Sequence, residues 1–289
     1  VFSKRARIAA LAALAALALT ACHKPAQVHP ALWQVDGPHG QRAWLFGTIH
    51  ALPEPVDWHS PKLDAALAGS DRLVVEVARV DDAPAVFARL ARSAPLLPLR
   101  DRIAPQLRPL LDRVLREHGL QPGDLDPLET WAAALTLQQA VAHTADVDGK
   151  NGVDRALVAG YHGRIEEFEG AAAQLAIFDR LAPDDQRALF EGVLRDAAAP
   201  ATDDTAIARG WASGDLAPLA AETERGFLHD PELRAALLVN RNHAWANRIA
   251  ALLERRARPF VAVGAAHLAG PQGLPALLAA QGYTVRRIQ

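Results

Sequence analysis

Arg42-Ala-Trp-Leu-Phe-Gly-Thr-Ile-His50 and Pro259-Phe-Val-Ala-Val-Gly-Ala-Ala-His267 decide the fold of this chain. Each is a short apolar run that ends in Gly-x-x-His. Such runs read as strands, and Pro259–Val263 has the unbroken apolar character of a strand buried on both faces. The glycine permits close backbone approach, and the histidine three residues on is presented past the carboxyl end of its strand. In open α/β sheets that edge is where ligands bind.

Two further runs lie between them. Leu73-Val-Val-Glu-Val77 is another buried-type strand with a carboxylate near its end, and Arg164-Ile-Glu-Glu-Phe168 is a strand candidate followed directly by Glu169. Ala31–Val35 forms a hairpin with Arg42–Phe46 across the turn chemistry of Asp36–Gln41. Ser60 is placed to cap a helix through Ala68. Helical periodicity marks 105–118 and 128–143, and 171–254 is mostly helical, punctuated by Pro183, Pro200, Gly214 and Pro231. Leu274–Gln281 is a helix and Tyr283–Ile288 a closing strand. The fold expected is one α/β domain over 31–289. Its mixed central sheet comes from the N- and C-terminal segments, with a large helical insertion at about 81–258. The strands ending at Phe46, Val77, Phe168 and Val263 should share one sheet, with their carboxyl ends on one edge.

Composition narrows the function. Of 289 residues, 50% are hydrophobic, so disorder is excluded as the main character, and 31 basic against 33 acidic residues argue against a nucleic-acid partner. A single cysteine excludes a disulfide scaffold. Lys4, Arg5 and Arg7 precede the apolar run Ile8–Leu19, which has the pattern of a secretory leader over 1–21 and is too short to span a membrane. Leu19-Thr-Ala-Cys22 resembles the bacterial lipobox. That resemblance implies cleavage before Cys22, lipid on Cys22, and a lipidated tether over 22–30. The expected location is the bacterial cell envelope. His23 stands where an aspartate would mark inner-membrane retention, which favours the outer membrane, facing the periplasm.

The candidate site residues have bland alternatives. Glu76 inside an apolar strand must be paired, metal-bound or protonated, and a partner arginine would suffice. Glu169 would also serve as a helix N-terminal acid. Asn242 lies on the apolar face that holds Leu238, Trp245, Ile249 and Leu252, with Arg241 beside it; the pair either ties the helix to a loop or lines a site. H-E-x-x-H, G-x-S-x-G, Walker and Rossmann patterns are missing from the sequence, and no second cysteine offers thiol catalysis.

Taken in order, Leu32-Trp33, Leu45–His50, Val75-Glu76-Val77, Gly152-Val153-Asp154, Phe168-Glu169 with Gln174, Arg241-Asn242 and Val263–Leu268 resemble the TraB/PrgY/GumN family, whose animal relatives include the Tiki proteases. Ala266 replaces the glycine that the family often has before its second histidine. The resemblance implies that His50 and His267 are paired active-site histidines and that Glu76 is the family's acid. In the Tiki branch these motifs accompany metal-dependent peptide cleavage. His50, Glu76 and His267 are thus the expected ligands of a divalent metal, with Mn, Co, Zn and Fe all open. Glu169 and Arg241 are expected in catalysis, with Glu169 or Glu76 itself as proton acceptor, Arg241 as oxyanion partner, and Asn242 and Gln174 in support. The function expected is a lipid-anchored, metal-dependent hydrolase of peptides. The alternatives are an envelope lipoprotein that sequesters a small peptide without cleaving it, and an accessory protein of polysaccharide export.

Overall fold

A computed structural model of the chain describes residues 26–92, 95–145, 147–199 and 204–289; the expected leader and Cys22 lie outside the described residues. In chain order the strands are β1 (Ala26–Gln27), β2 (Leu32–Asp36), β3 (Arg42–Thr48), β4 (Val56–Asp57), β5 (Arg72–Val75), β6 (Arg164–Glu167), β7 (Pro259–Gly264) and β8 (Thr284–Arg287). The helices begin with α1 (Pro61–Gly69), α2 (Ala83–Leu90), α3 (Leu99–Arg102), α4 (Arg108–Glu117), α5 (Thr130–Thr144), α6 (Val153–Gly160) and α7 (Gly170–Asp179). They continue with α8 (Pro183–Ala198), α9 (Asp204–Ser213), α10 (Ala217–Glu222), α11 (Pro231–Arg234), α12 (Asn240–Glu254) and α13 (Leu274–Ala280).

Six strands form one mixed sheet in the order β6-β5-β7-β3-β2-β8. The four strands that carry the candidate residues are parallel to their neighbours in the first part of that order, so their carboxyl ends share an edge as expected. β2 runs antiparallel to both β3 and β8. Residues alternate across the sheet. Trp44, Phe46 and Phe260 pack on one face with Trp58, Leu63 and Leu73. Leu45, Val261 and Val263 pack on the other with Trp245, Ile249 and Leu253 of α12 and Leu274 and Leu278 of α13. Both faces are covered, which is why the strands read as unbroken apolar runs. A separate helical core gathers Leu111, Leu115, Trp131, Leu137, Phe190 and Leu194. Ser60 caps α1 as its position suggested, accepting the Leu63 N–H at 3.2 Å.

Several details depart from the sequence expectation. β5 stops at Val75, two residues early, because the Glu76 carbonyl turns to accept the N–H groups of both Glu169 and Gly170. Residues 26–30, expected within the tether, are docked. β1 pairs with β4, Val28 is buried, and the His29 N–H donates to the Ala212 carbonyl at 2.7 Å. Val28 has an apolar side chain to bury, and that outweighs the turn-like prolines around it. A π-helical turn, Ala235–Val239, joins α11 to α12. Nothing in its sequence, which lacks glycine and proline, signals it.

The two Gly-x-x-His arms meet because β3 and β7 are adjacent, with Thr48 opposite Gly264. Gly47 permits the approach: a Cβ there would lie 3.0 Å from the Ala265 Cβ and 3.3 Å from its Cα. Its carbonyl also accepts the Trp211 indole N–H at 2.9 Å. Gly47→Ala should therefore force β3 and the turn after β7 apart, at a cost of about 1–3 kcal/mol. Equilibrium urea unfolding measures this, and an unchanged midpoint would show that the contact is slack.

Candidate active site

The site is built at the carboxyl edge of β3, β5, β6 and β7. Glu76, just past β5, is its centre, and the side chain is 9% exposed. Its Oε1 accepts the Gly264 backbone N–H at 2.8 Å. Its Oε2 accepts from Arg241 Nη2 at 2.8 Å and from Gln174 Nε2 at 3.1 Å. Burial raises the Glu76 pKa, but the charges of His267, His50 and Arg241 and the Gly264 N–H bring it down to about 2. His267 is neutral at pH 7, so the hold there rests on His50, Arg241 and Gly264.

Arg241 projects from the first turn of α12, just after the π-helical turn. That turn leaves the Leu237 carbonyl to the guanidinium, at 3.0 Å from Nη1. Nε and Nη2 hold both oxygens of Glu169, each at 2.8 Å, and Nη2 also reaches Glu76. Nη1 donates to His267 Nε2 at 3.3 Å. All five guanidinium donors are thus engaged within the protein. In this arrangement the guanidinium faces Leu237, Glu169, Glu76 and His267, and an ion taken up at His267 Nε2 would release one Nη1 donor. Both Glu169 oxygens are held by the same guanidinium, so Glu169 is the arginine's fork partner. Arg241 also lies over the Trp245 ring, 4.6 Å from its centroid, and Trp245 packs on His267 and Phe168.

The two histidines are oriented by different partners. Asn242 is fully buried and donates to the Gln272 carbonyl at 2.7 Å, which turns its Oδ1 toward His267 Nδ1. The proton of that ring therefore sits on Nδ1, and Nε2 faces the site. Burial lowers the His267 pKa, Glu76 opposes, and Arg241 and His50 push further down, to about 4. Asn242 thus does both jobs the sequence left open. It ties α12 to a loop and it lines the site.

His50 lies beyond β3 with its side chain 65% exposed, and Nδ1 meets Asp154 Oδ2 at 3.0 Å. Desolvation on its inner side lowers its pKa, but the hydrogen bond and charge of Asp154, with the charge of Glu76, carry it up to about 9. Sequence reasoning gave Asp154 no role. Its separation from His50 along the chain leaves no periodic signal, and only its place in a matched motif marked it.

Gly264 is the floor of this cluster. A Cβ there would stand 3.3 Å from Glu76 Oε1, 3.5 Å from His50 Nε2 and 3.8 Å from His267 Cδ2. Two ring edges and one carboxylate oxygen thus border a space kept open by the lack of a side chain. In donor type this set suits a divalent cation. Among the described residues, no group of three His, Cys, Asp or Glu is already drawn together as a metal cage. A cleft of about 300 Å³ opens beside it, walled by Val75, Val77, Val80, Leu175 and Ala262 and lined also by Thr48. The Thr48 hydroxyl and Asp154 Oδ1 are buried without a hydrogen-bond partner in the protein.

His267 gives the site a pH signature in stability. From pH 6.5 down to about 4 the unfolded chain takes up a proton that the folded ring refuses, so stability falls as pH falls. Between about pH 6 and 5.5, above most of the Glu76 titration in the unfolded chain, the slope from this ring should approach ~1.4 kcal/mol per pH unit. His267→Asn should flatten it. Urea midpoints measured across that range in chelator check this, and equal slopes would refute it.

Searches of curated proteins and of solved structures return no match. The model of the TraB/PrgY/gumN family matches residues 31–287, which takes in all four strand ends, both histidines and the Glu76–Arg241–Glu169 cluster, and the chain belongs to that family.

Proposed function

We propose that this protein is a lipid-anchored, metal-dependent hydrolase of the bacterial cell envelope that acts on peptides. One observation carries the reading: two imidazoles, each with Nδ1 tied to an acceptor, and one carboxylate border the space over Gly264 at the parallel strand ends. A ring fixed through Nδ1 and turned inward through Nε2 is the arrangement of metal-bound histidines. His50, Glu76 and His267 would hold the ion. When bound, a divalent ion of Mn, Co, Zn or Fe supplies Lewis acidity, which polarises a carbonyl and acidifies water.

The chain's own residues supply the rest. Burial keeps the His267 ring neutral and Asn242 fixes its tautomer, and an ion at Nε2 would take the place of the Arg241 Nη1 hydrogen bond. Arg241 holds Glu76 as a carboxylate and is itself fixed by Glu169, so the acid is ionised and immobile. Gln174 adds a second hold on Glu76 Oε2. The apolar wall of the adjoining cleft excludes water from one side and suits an apolar side chain of a peptide. His50, the exposed member, borders the open side of the site.

Metal analysis of the full chain, purified in detergent, tests the reading. Near one equivalent of a divalent ion is expected, lost in the His50→Ala/His267→Ala double variant, together with any peptide cleavage. Metal-free protein that binds peptide without cleaving it would replace hydrolysis with sequestration. The anchor is tested separately. Cys22→Ser should leave the protein unprocessed or released from membranes, and normal processing and membrane extraction of that variant would remove the lipid from the proposal.

A further inference from the structure

His50 does not stand on a strand. It lies in the segment that follows β3, and its side chain is largely open to solvent. A loop residue in that position would ordinarily wander, yet its ring has to meet Glu76 and Gly264. The restraint comes from residues 148–154, the last part of the α5–α6 connection and the first two residues of α6, which run along the His50 segment. Leu52 and Asp148 exchange backbone hydrogen bonds, at 3.3 and 3.1 Å. Asn151 Nδ2 donates to the carbonyls of Leu52 and Pro53, at 2.9 and 3.1 Å. The Val153 N–H donates to the Ile49 carbonyl at 2.9 Å. Asp154 then takes the ring itself.

Gly152 lets this strap lie flat. A Cβ there would collide with the His50 carbonyl oxygen and crowd Asp154 Oδ1. The three residues Gly152-Val153-Asp154 thus act on the histidine in turn, by close approach, by a backbone bond next to it, and by a bond to its ring. We infer that the 148–154 strap is the positioning device of the site, and that Asp154 is the positioning residue that keeps a proton on His50 Nδ1 and turns Nε2 to Glu76 and Gly264. The backbone contacts set where the loop sits, and the carboxylate sets how the ring is turned. Asp154 touches no reacting atom in this arrangement and acts through His50.

The test uses the full chain in detergent, labelled with ¹⁵N-histidine, with the His50 signals identified by their loss in His50→Ala. In the metal-free wild type, His50 should show a hydrogen-bonded, slowly exchanging Nδ1 proton. Asp154→Ala should abolish it. Asp154→Asn keeps an acceptor, so the proton should persist but shift. That variant also serves if Asp154→Ala fails to fold. His50 signals unchanged in both variants, or a wild-type ring with no bonded Nδ1 proton, would overturn the inference. A second measurement rests on the metal reading above. Co²⁺ titrated into the same proteins should bind about 10–100-fold more weakly to Asp154→Ala than to the wild type. Equal affinity would count against the strap. A wild type that takes up no Co²⁺ would refute the metal reading, while the Nδ1 proton still decides the role of Asp154.

Discussion

A buried carboxylate that cannot be left alone organises this molecule. Glu76 sits where four strands end, and a charge so placed is tolerated only when paired and hydrogen-bonded. Its partners come from every quarter: the backbone of Gly264 after β7, the guanidinium of Arg241 on α12, the amide of Gln174 on α7. Its own carbonyl gathers the N–H groups of Glu169 and Gly170 after β6. Breaking any of these contacts strands an ion in a dry place, so together they fix α12 and α7 over the sheet edge. The histidines take their places around a feature that the fold must satisfy in any case.

Much of this was legible in the chain. The unbroken apolar runs gave the strands because both sheet faces are covered, and the Gly-x-x-His repeat gave the edge because β3 and β7 pair nearly in step. Glu76 announced its need for a partner by sitting among valines. The identity of that partner was harder to see. Arg241 is far away in sequence and is aimed by a π-helical turn that no glycine or proline betrays. That Arg241 and Glu169 occupy each other follows from side-chain geometry, which residue type and spacing do not encode. The Asp154 carboxylate was hidden for the same reason. The docking of residues 26–30 depended on tertiary burial of Val28, which local turn chemistry conceals.

The two histidines are not equivalent, and their partners explain the difference. An amide backs His267 inside the protein, where the neutral ring is favoured. A carboxylate backs His50 at the cleft mouth, where a charged ring is favoured. Before an ion binds, the fold thereby favours opposite protonation states for two like side chains within reach of a single acid. Environment sets this pairing, not residue type.

The antiparallel place of β2 and β8 also matters for handling the protein. Leu32 pairs with Phe46 and Trp33 with Arg287, so the start of β2 and the end of β8 both lie on the edge that carries the histidines. The Gln289 side chain is itself bonded to Ser60 and Pro30. A label attached at Gln289 would disturb the bonds that hold the segment after β8 against Ser60 and Pro30. The hairpin turn at Gly37–Gly40 stands at the other end of β3, with no buried side chain, and is the better attachment point for a surface, a dye or a fusion partner.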